Sequence, residues 1–404
     1  MLDRPLVRFK MTQSSGTYNV SVGYLRAFVT LLVLAHHSML AYHPYAPPPP
    51  ASLVPQPRWW EAFPIVDTAH WSGATLLVGF NDIFFMSLMF FLSGLFVWNS
   101  LVHKGPGTFA HDRWARLGVP FFWAVAVVSP LAYSATYAQA TAHPTLGGFA
   151  HQWLSLGEWP SGPAWFIWVL LAFDWIAAFL FRLAPKWGEQ LGRFSSGADR
   201  RPARFFWLMV AVCAVAYVPL AVLVGPMAWT GWNPWVFQTS RGLLYFVWFL
   251  AGVGVGAWGI ERGLLAPDGK LARRWPLWVL RAIGAFGLAS VVFIVSLSGH
   301  GAPSMWAIAN GIAFVLSCAA SCFCFLALFV RFARTRVRAF DSLTANAYGM
   351  YLVHYAIVAW LQYALIKMAL PGWAKASLVF AGAVALSWAT TAALGRIPAV
   401  ARRI

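Results

Sequence analysis

The fold is decided by a stretch near the start of the chain, Val22-Gly-Tyr-Leu-Arg26-Ala-Phe-Val-Thr-Leu-Leu-Val-Leu-Ala-His36-His37-Ser-Met-Leu40. The stretch has nearly the length of about 20 residues that a transmembrane helix needs, yet it contains one arginine and two histidines. An ionisable side chain within a bilayer costs about 3 kcal/mol or more, and such residues usually face a cavity or a partner. The stretch therefore predicts a membrane-spanning helix with a polar site on one side.

Arg26 and His37 are the two ionisable residues of this helix that share a face. They are eleven positions apart, which at about 100° per residue is close to three full turns, and about 16 Å along the axis. We expect a buried Arg26 near the cytoplasmic mouth of the site and His37 beyond the membrane midplane, while His36 points about 100° away. A hydrogen bond to a neighbouring helix would explain a lone histidine, but the aligned pair favours a functional site.

The composition of the chain indicates that lipid is its main surrounding. The 404 residues are 60% hydrophobic and 10% charged, whereas soluble domains contain about 25% charged residues. One globular core could not bury so much apolar surface. The four cysteines lie in apolar runs without a Cys-x-x-Cys pair, which indicates buried thiols and neither a disulfide framework nor a metal site.

Long apolar runs predict an all-α, polytopic membrane protein with about ten transmembrane helices. The predicted spans are 21–42, 79–101, 118–138, 163–184, 205–224, 240–260, 277–297, 304–330, 346–367 and 375–396. The transmembrane domain would cover residues 21–396, between a cytoplasmic segment 1–20 and a cytoplasmic tail 397–404. The first run is too long for a cleaved signal peptide and predicts a retained anchor.

The distribution of charge predicts the orientation of these helices. The net charge is +17, and most of the 29 Lys and Arg residues lie before the first span, in every second connection and after the last span. Cytoplasmic loops carry such an excess. We therefore expect a multi-pass protein with both termini in the cytoplasm, and no nucleic-acid partner, because topology already explains the basic residues.

Polar residues in later spans are further candidates for a site. Arg113 and Arg116, at i and i+3, could converge on one anion such as a phosphate, although anchoring at the cytoplasmic surface would explain them equally well. His354 is expected near mid-membrane in the ninth span. Asp82, at the start of the second span, and Asp174, in the middle of the fourth, are acids that could orient a histidine.

The side opposite the basic loops is expected to carry two tryptophan-rich loops, 43–78 and 225–235. The ring of Trp232 and its neighbours could stack on a sugar. An ordinary aromatic belt at the bilayer interface would give the same pattern. Both interpretations stay open from the sequence.

These motifs, taken in order, resemble those of the bacterial acyltransferase-3 family of integral membrane acyltransferases. The spacing of Arg26 and His37 matches the Arg-x10-His pattern of the family's first helix, which selects His37 over His36. The other matching segments are Phe90-Phe-Leu-Ser-Gly94, Arg113-x-x-Arg116 followed by Leu117 and Pro120, Gly162-Pro-Ala-Trp-Phe-Ile-Trp168, and Tyr348-Gly-Met-Tyr-Leu-Val-His354. The chain departs from the family at Ser87, where many members have an aspartate.

The resemblance implies transfer of an acyl group, most often acetyl, from cytoplasmic acetyl-CoA or another acyl-CoA to a hydroxyl of an extracytoplasmic or lipid-linked carbohydrate. Arg26, Arg113 and Arg116 would hold the phosphates of coenzyme A. His37 would act as general base, with an acyl-imidazole intermediate as the competing route, and His354 would orient it or share the proton. The candidates for contact with the carbohydrate or glycolipid acceptor are Trp165, Asp82, Asp174 and Trp232.

Two other functions are compatible with parts of the sequence. Buried His and Arg residues also serve proton-coupled transporters, but no internal repeat or pair of broken helices of the kind common in transporters is visible. The segment Met86–Phe96 is similar to the glucan-modifying branch of the family, which implies succinyl transfer to periplasmic glucan as an alternative reaction. In either enzyme the partners would be acyl-CoA, the acceptor and the lipids of the bacterial inner membrane.

Overall fold

The computed structural model describes residues 19–401, which form a bundle of helices. The long helices are α1 (Val20–Leu40), α2 (Ser72–Gly94), α3 (Val97–Arg113), α7 (Trp165–Leu183), α9 (Pro202–Val224), α10 (Thr239–Trp258), α12 (Trp275–Ser296), α13 (Pro303–Phe332), α14 (Arg338–Leu365) and α15 (Gly372–Leu394). The shorter helices are α4 (Val119–Trp123), α5 (Ser129–Ala140), α6 (Leu146–Ser155), α8 (Trp187–Ser195), α11 (Lys270–Arg273) and α16 (Pro398–Ala401).

Several tight segments connect these helices. Single π-helical turns flank α4, at Trp114–Gly118 and Ala124–Val128, and 3₁₀ turns lie at Trp59–Glu61 and Gly162–Ala164. Strands β1 (Trp229–Thr230) and β2 (Phe237–Gln238) form a short antiparallel hairpin in which Trp229 pairs with Gln238. The loop between α9 and α10 is therefore folded back on itself.

The predicted all-α, polytopic membrane architecture is confirmed. Between residues 19 and 401, nine helical segments are long and apolar enough to cross a membrane. The predicted count was about ten, and the predicted span that is not among these nine is 346–367. It corresponds to α14, which is 28 residues long and contains His354 and Gln362. Of the predicted flanking segments, residues 1–18 and 402–404 lie outside the described residues, and the cytoplasmic side of the termini stays a prediction.

The predicted position of the second span was wrong. The helix begins at Ser72 rather than 79, because no helix-breaking residue interrupts the Ala-Thr-Leu-Leu-Val run that follows, and it ends at Gly94. Asp82 was expected at the start of this span. It instead lies ten residues inside α2, about 15 Å from the helix start, so its charge needs a partner within the bundle.

One end of the bundle is held together where α1 and α14 begin and α13 ends; we call it the basic end. The hydroxyl of Ser21 donates to the carbonyl of Ala333 at 2.8 Å, and the hydroxyl of Tyr24 donates to the carboxylate of Asp341 at 2.9 Å. The amide of Lys270 donates to the carbonyl of Asp199 at 2.7 Å. This end corresponds to the one that the charge distribution predicts to be cytoplasmic.

The opposite end is covered by residues 41–71, which we call the roof segment. The side chain of Gln139 in α5 donates to the carbonyl of Val66 at 2.6 Å and accepts from its amide at 3.2 Å. The Trp60 ring is buried, and its Nε1 donates to the carbonyl of Leu53 at 3.2 Å. These bonds attach the roof segment to α5 and fold it back on itself.

Helices α2 and α10 cross at glycines, which allow the two backbones to touch. A methyl group at Gly252 would overlap the carbonyl of Phe91, and one at Gly256 would overlap the carbonyl of Leu95. Overpacking a tight core typically costs about 1–3 kcal/mol, and here the obstacle is backbone that cannot rotate away. This contact fixes α2, and with it the wall of the bundle behind α1.

The Gly252→Val variant is therefore expected to lower the midpoint of thermal unfolding in detergent. The matched control is Gly284→Val in α12, where an added Cβ meets nothing within 4 Å and only the small helix propensity of valine acts. Unfolding midpoints would be measured for both variants and the wild type. Equal midpoints for the two variants would contradict the tight crossing.

Candidate functional site

The two histidines predicted to be catalytic meet inside the bundle. Nδ1 of His37 in α1 lies 3.2 Å from Nε2 of His354 in α14, and their ring centroids are 5.0 Å apart. His354 is fully buried and His37 is partly buried. His37 belongs to the last turn of α1, so the pair lies close beneath the roof segment.

The hydrogen bonds around the pair assign the protons of the neutral rings. Nδ1 of His354 lies 2.7 Å from the carbonyl of Tyr351 and must carry a hydrogen, which leaves its Nε2 as an acceptor. The single hydrogen on Nδ1 of His37 is then shared between that Nε2, at 3.2 Å, and the carbonyl of Val33, at 2.9 Å. Nε2 of His37 consequently has a lone pair, and within residues 19–401 no hydrogen bond engages it.

His36 faces a different helix, as the rotation of about 100° per residue requires. Its ring stacks on Phe85 of α2, with centroids 5.3 Å apart. His36 and His37 thus have different partners, since of the two only His37 contacts His354.

Two residues that the sequence analysis did not single out complete the surroundings of His37. The Tyr355 ring packs edge-on against the His37 ring with centroids 5.2 Å apart, and its hydroxyl donates to the carbonyl of Glu61 at 3.1 Å. Gln362 donates to the carbonyl of His37 at 2.8 Å. Both are polar residues in the same apolar span as His354, and this pattern could have indicated from the sequence that they belong to the site.

The expectation that Arg26 is buried was wrong. Its residue is exposed at the surface of the folded chain, because it lies six residues from the start of α1, about 9 Å along the axis. A long arginine side chain can reach the edge of the bundle from that depth. Arg26 therefore lies on the basic-end side of His37, accessible from outside the helix bundle.

Arg113, at the end of α3, and Arg116, in the π-helical turn that follows, have different surroundings. Nε of Arg113 lies 3.3 Å from a carboxylate oxygen of Asp174, whose side chain is 1% exposed, and the guanidinium also packs over the ring of Phe109. Arg116 is exposed, and its carbonyl accepts a hydrogen bond of 2.7 Å from the hydroxyl of Tyr348. Arg113 and Arg116 lie on either side of a π-helical turn boundary, so they do not have the regular i, i+3 relation that the sequence predicted.

Neither acid that was expected to orient a histidine contacts His37 or His354. Asp174 faces Arg113, and Asp82 accepts a hydrogen bond of 2.7 Å from Arg241, whose side chain is 4% exposed. Arg241 lies in the first turn of α10, within the predicted span 240–260, and was not singled out from the sequence. A buried arginine requires a counter-charge. From the sequence, Asp82 could therefore have been proposed as the partner of Arg241.

The two predicted tryptophan contacts are placed differently in the fold. Trp165 is half-buried between the rings of Tyr245 and Trp229, with centroids 5.9 and 5.5 Å away. Trp232 lies at the tip of the loop between α9 and α10 and is 67% exposed. Trp232 is thus available to a partner, whereas Trp165 mainly packs against other aromatic rings.

Comparison with known proteins assigns the chain to a family. The family model described as an acyltransferase domain, Acyl_transf_3, matches residues 19–392. None of the curated proteins or solved structures that were compared matches the chain. The matched range contains both histidines and all three predicted arginines. It covers the first nine predicted membrane spans completely and the tenth as far as residue 392. The chain therefore belongs to the Acyl_transf_3 family of acyltransferases.

Proposed function

We propose that the protein transfers an acyl group, most readily acetyl, from acyl-CoA on the cytoplasmic side to a hydroxyl of an extracytoplasmic or lipid-linked carbohydrate. The proposal places it in a bacterial inner membrane with the basic end in the cytoplasm. The observation that supports it most is the contact of His37 with His354, because it leaves the lone pair of His37 Nε2 free for a proton.

In the proposed reaction, His37 Nε2 takes the proton of the acceptor hydroxyl while the oxygen attacks the thioester carbonyl. The C–S bond then breaks, and the proton on His37 passes to the leaving sulfur, so that the products are an ester and free coenzyme A. His354 Nε2 accepts a hydrogen bond from His37 Nδ1 throughout. This bond stabilises the imidazolium and holds the ring, as the carboxylate does in a serine protease triad.

An acyl-imidazole on His37 is the competing route. In it, the same Nε2 lone pair attacks the thioester carbonyl, the C–S bond breaks, and the hydrogen on Nδ1 leaves the acylated ring for the sulfur, which gives free coenzyme A. The acceptor oxygen then takes the acyl group from the imidazole, and the proton of the acceptor hydroxyl returns to the ring. Both routes need the same nitrogen without a proton. They differ in whether a labelled acyl group is ever attached to the protein.

Arg26, Arg113 and Arg116 are the proposed contacts for the donor phosphates, and the carboxylate of Asp174 orients Arg113. Both Arg26 and Arg116 are exposed, as a site for a soluble cofactor requires. Arg26 lies about 16 Å from His37 along α1, and the carbonyl of Arg116 contacts Tyr348, about 9 Å along α14 from His354. An extended pantetheine arm would bridge such distances.

The test is covalent labelling of a glycan. Purified protein in lipid nanodiscs would receive radiolabelled acetyl-CoA or succinyl-CoA with maltopentaose, cellopentaose or chitopentaose, and release of free thiol would be followed in parallel. We expect thiol release and label in an oligosaccharide, with acetyl preferred over succinyl. A wild-type protein that neither releases thiol nor labels any oligosaccharide would contradict the proposal. Uptake of unmodified sugar by the same protein reconstituted into sealed vesicles would indicate a transporter.

A further inference from the structure

The roof segment and two other loops meet at a set of polar side chains, which we call the Glu61 cluster: Arg58, Glu61, Glu158 and Asn233. Arg58 donates to Glu158 at 2.6 Å and lies 4.0 Å from a carboxylate oxygen of Glu61. Asn233 donates to the other Glu61 oxygen at 3.4 Å. The cluster thus joins the roof segment to the loop before α7 and to the loop before α10.

The cluster lies next to the histidine pair. The carbonyl of Glu61 accepts hydrogen bonds from the hydroxyls of Tyr355 at 3.1 Å and Tyr133 at 2.9 Å. The same Tyr355 ring packs against His37. The Tyr355 side chain therefore lies between the backbone of Glu61 and His37, on the side of His37 that faces away from the basic end.

Two polar atoms of the cluster have no hydrogen-bond partner within the described part of the chain. They are Nε of Arg58 and Oδ1 of Asn233; the Arg58 side chain is 10% exposed and Asn233 is 7% exposed. Buried polar groups are nearly always bonded. One atom is a donor and the other an acceptor, and a sugar offers hydroxyl groups that can accept from the first and donate to the second.

The charge of the cluster also suits a neutral, hydroxyl-bearing ligand. Arg58 lies between two carboxylates, those of Glu61 and Glu158. Burial raises the pKa of the Glu61 carboxyl above its ordinary range, while the hydrogen bond from Asn233 and the charge of Arg58 act in the opposite direction. The set has no surplus of positive charge with which to hold a phosphate.

In each of the three loops, an exposed tryptophan is the chain neighbour of a member of the cluster. Trp59, Trp159 and Trp232 are 61%, 38% and 67% exposed, and each directly adjoins a member of the cluster in the chain. A flat aromatic face packs on the apolar face of a sugar ring, while the polar groups bond its hydroxyls. The roof segment thus contributes two polar side chains and one ring, and each of the other two loops contributes one polar side chain and one ring.

We propose that the Glu61 cluster and these three tryptophans form the acceptor subsite, which binds a hydroxyl-rich sugar ring and directs one hydroxyl past Tyr355 to His37. The inference rests on the proposed function and extends it to the residues that select the acceptor. Arg58, Glu61 and Asn233 bond sugar hydroxyls, and Trp59 and Trp232 stack on the ring.

The test measures the KM for the oligosaccharide and for acetyl-CoA separately, using label transfer to the best acceptor among maltopentaose, cellopentaose and chitopentaose. For Asn233→Ala, Glu61→Gln and the double variant Trp59→Ala/Trp232→Ala, we expect the acceptor KM to rise about tenfold or more, because each loses a hydrogen bond or a stacking surface. The KM for acetyl-CoA should stay within about twofold, since the donor enters from the other end. The matched control is Trp373→Ala, whose ring is 56% exposed at the start of α15 and outside the cluster.

The double tryptophan variant keeps the test decisive if Asn233→Ala fails to fold, because both rings are exposed. An unchanged acceptor KM in a folded, active double variant would overturn the inference and assign these rings to the bilayer interface. Thiol release by the wild type without label in any of the three oligosaccharides would also overturn the proposed acceptor subsite. The proposal that acyl-CoA is the donor would be unaffected by that result. Absence of thiol release would instead contradict the proposed function itself.

Discussion

The His37→Ala variant is expected to lose acyl transfer by a factor of about 10² to 10⁴, the usual contribution of a positioned general base. In the wild type, Nε2 of His37 carries the free lone pair, and Nδ1 of His37 lies 3.2 Å from Nε2 of His354. Alanine removes the proton acceptor, and a nucleophile as well if the reaction passes through an acyl-imidazole. The rate of label transfer at saturating donor and acceptor would be measured for protein that elutes as a single folded species.

His36→Ala is the matched control for this experiment. The substitution removes the same ring from the adjacent position, but its ring stacks on Phe85 and contacts neither His354 nor Tyr355. We expect His36→Ala to retain transfer within about tenfold of the wild type, whereas a His354→Gln variant should fall between the two because the orienting acceptor changes. Loss of activity in His36→Ala equal to that in His37→Ala would contradict the assignment of the base.

The Lys375→Met variant is expected to show the largest loss of stability. Nζ of Lys375 lies 2.6 Å from a carboxylate oxygen of Asp67, and the two side chains are 2% and 1% exposed. Removing one partner of such a pair leaves a buried, uncompensated charge, which costs about 3–5 kcal/mol. Since Asp67 belongs to the roof segment, its displacement should also uncover the histidine pair and lower activity.

Unfolding midpoints in detergent would compare Lys375→Met with Lys367→Met, in which the replaced residue is exposed. The double variant Lys375→Met/Asp67→Leu should recover most of the loss, because an apolar pair of similar volume can replace a buried ion pair. Equal midpoints for Lys375→Met and Lys367→Met would show that the pair does not hold the roof segment.

Much of the fold followed from local sequence. The apolar runs alone predicted a polytopic helical protein, because a bilayer requires each spanning segment to be long, apolar and internally hydrogen-bonded. Helix periodicity also separated His36 from His37, since 100° of rotation sends neighbouring side chains to different partners. The structure shows those partners to be Phe85 and His354.

The pairings between helices could not be predicted in the same way. His37 and His354 are 317 positions apart, and Asp67 and Lys375 are 308 positions apart. Spacing within one helix carries no information on which other helix faces it. The depth of Asp82 was also mistaken, because periodicity locates the face of a residue more securely than the ends of its helix.

The loops were the least predictable part. Trp60 and Trp232 both belong to tryptophan-rich loops, but Trp60 is 2% exposed and Trp232 is 67% exposed. The difference arises from bonds such as that of Trp60 Nε1 to the carbonyl of Leu53, which depend on the path of the roof segment. The Glu61 cluster is likewise built from three loops that are far apart in the chain.

The central claim is that the His37–His354 pair carries out acyl transfer, and a single-turnover experiment tests it most directly. Wild type and His37→Gln, each in excess over radiolabelled acetyl-CoA, would be mixed with saturating oligosaccharide, and donor binding would be measured in the same samples. We predict that His37→Gln binds acetyl-CoA as the wild type does but transfers its label at least about 100-fold more slowly. Label transfer by His37→Gln at a rate close to that of the wild type would contradict the account.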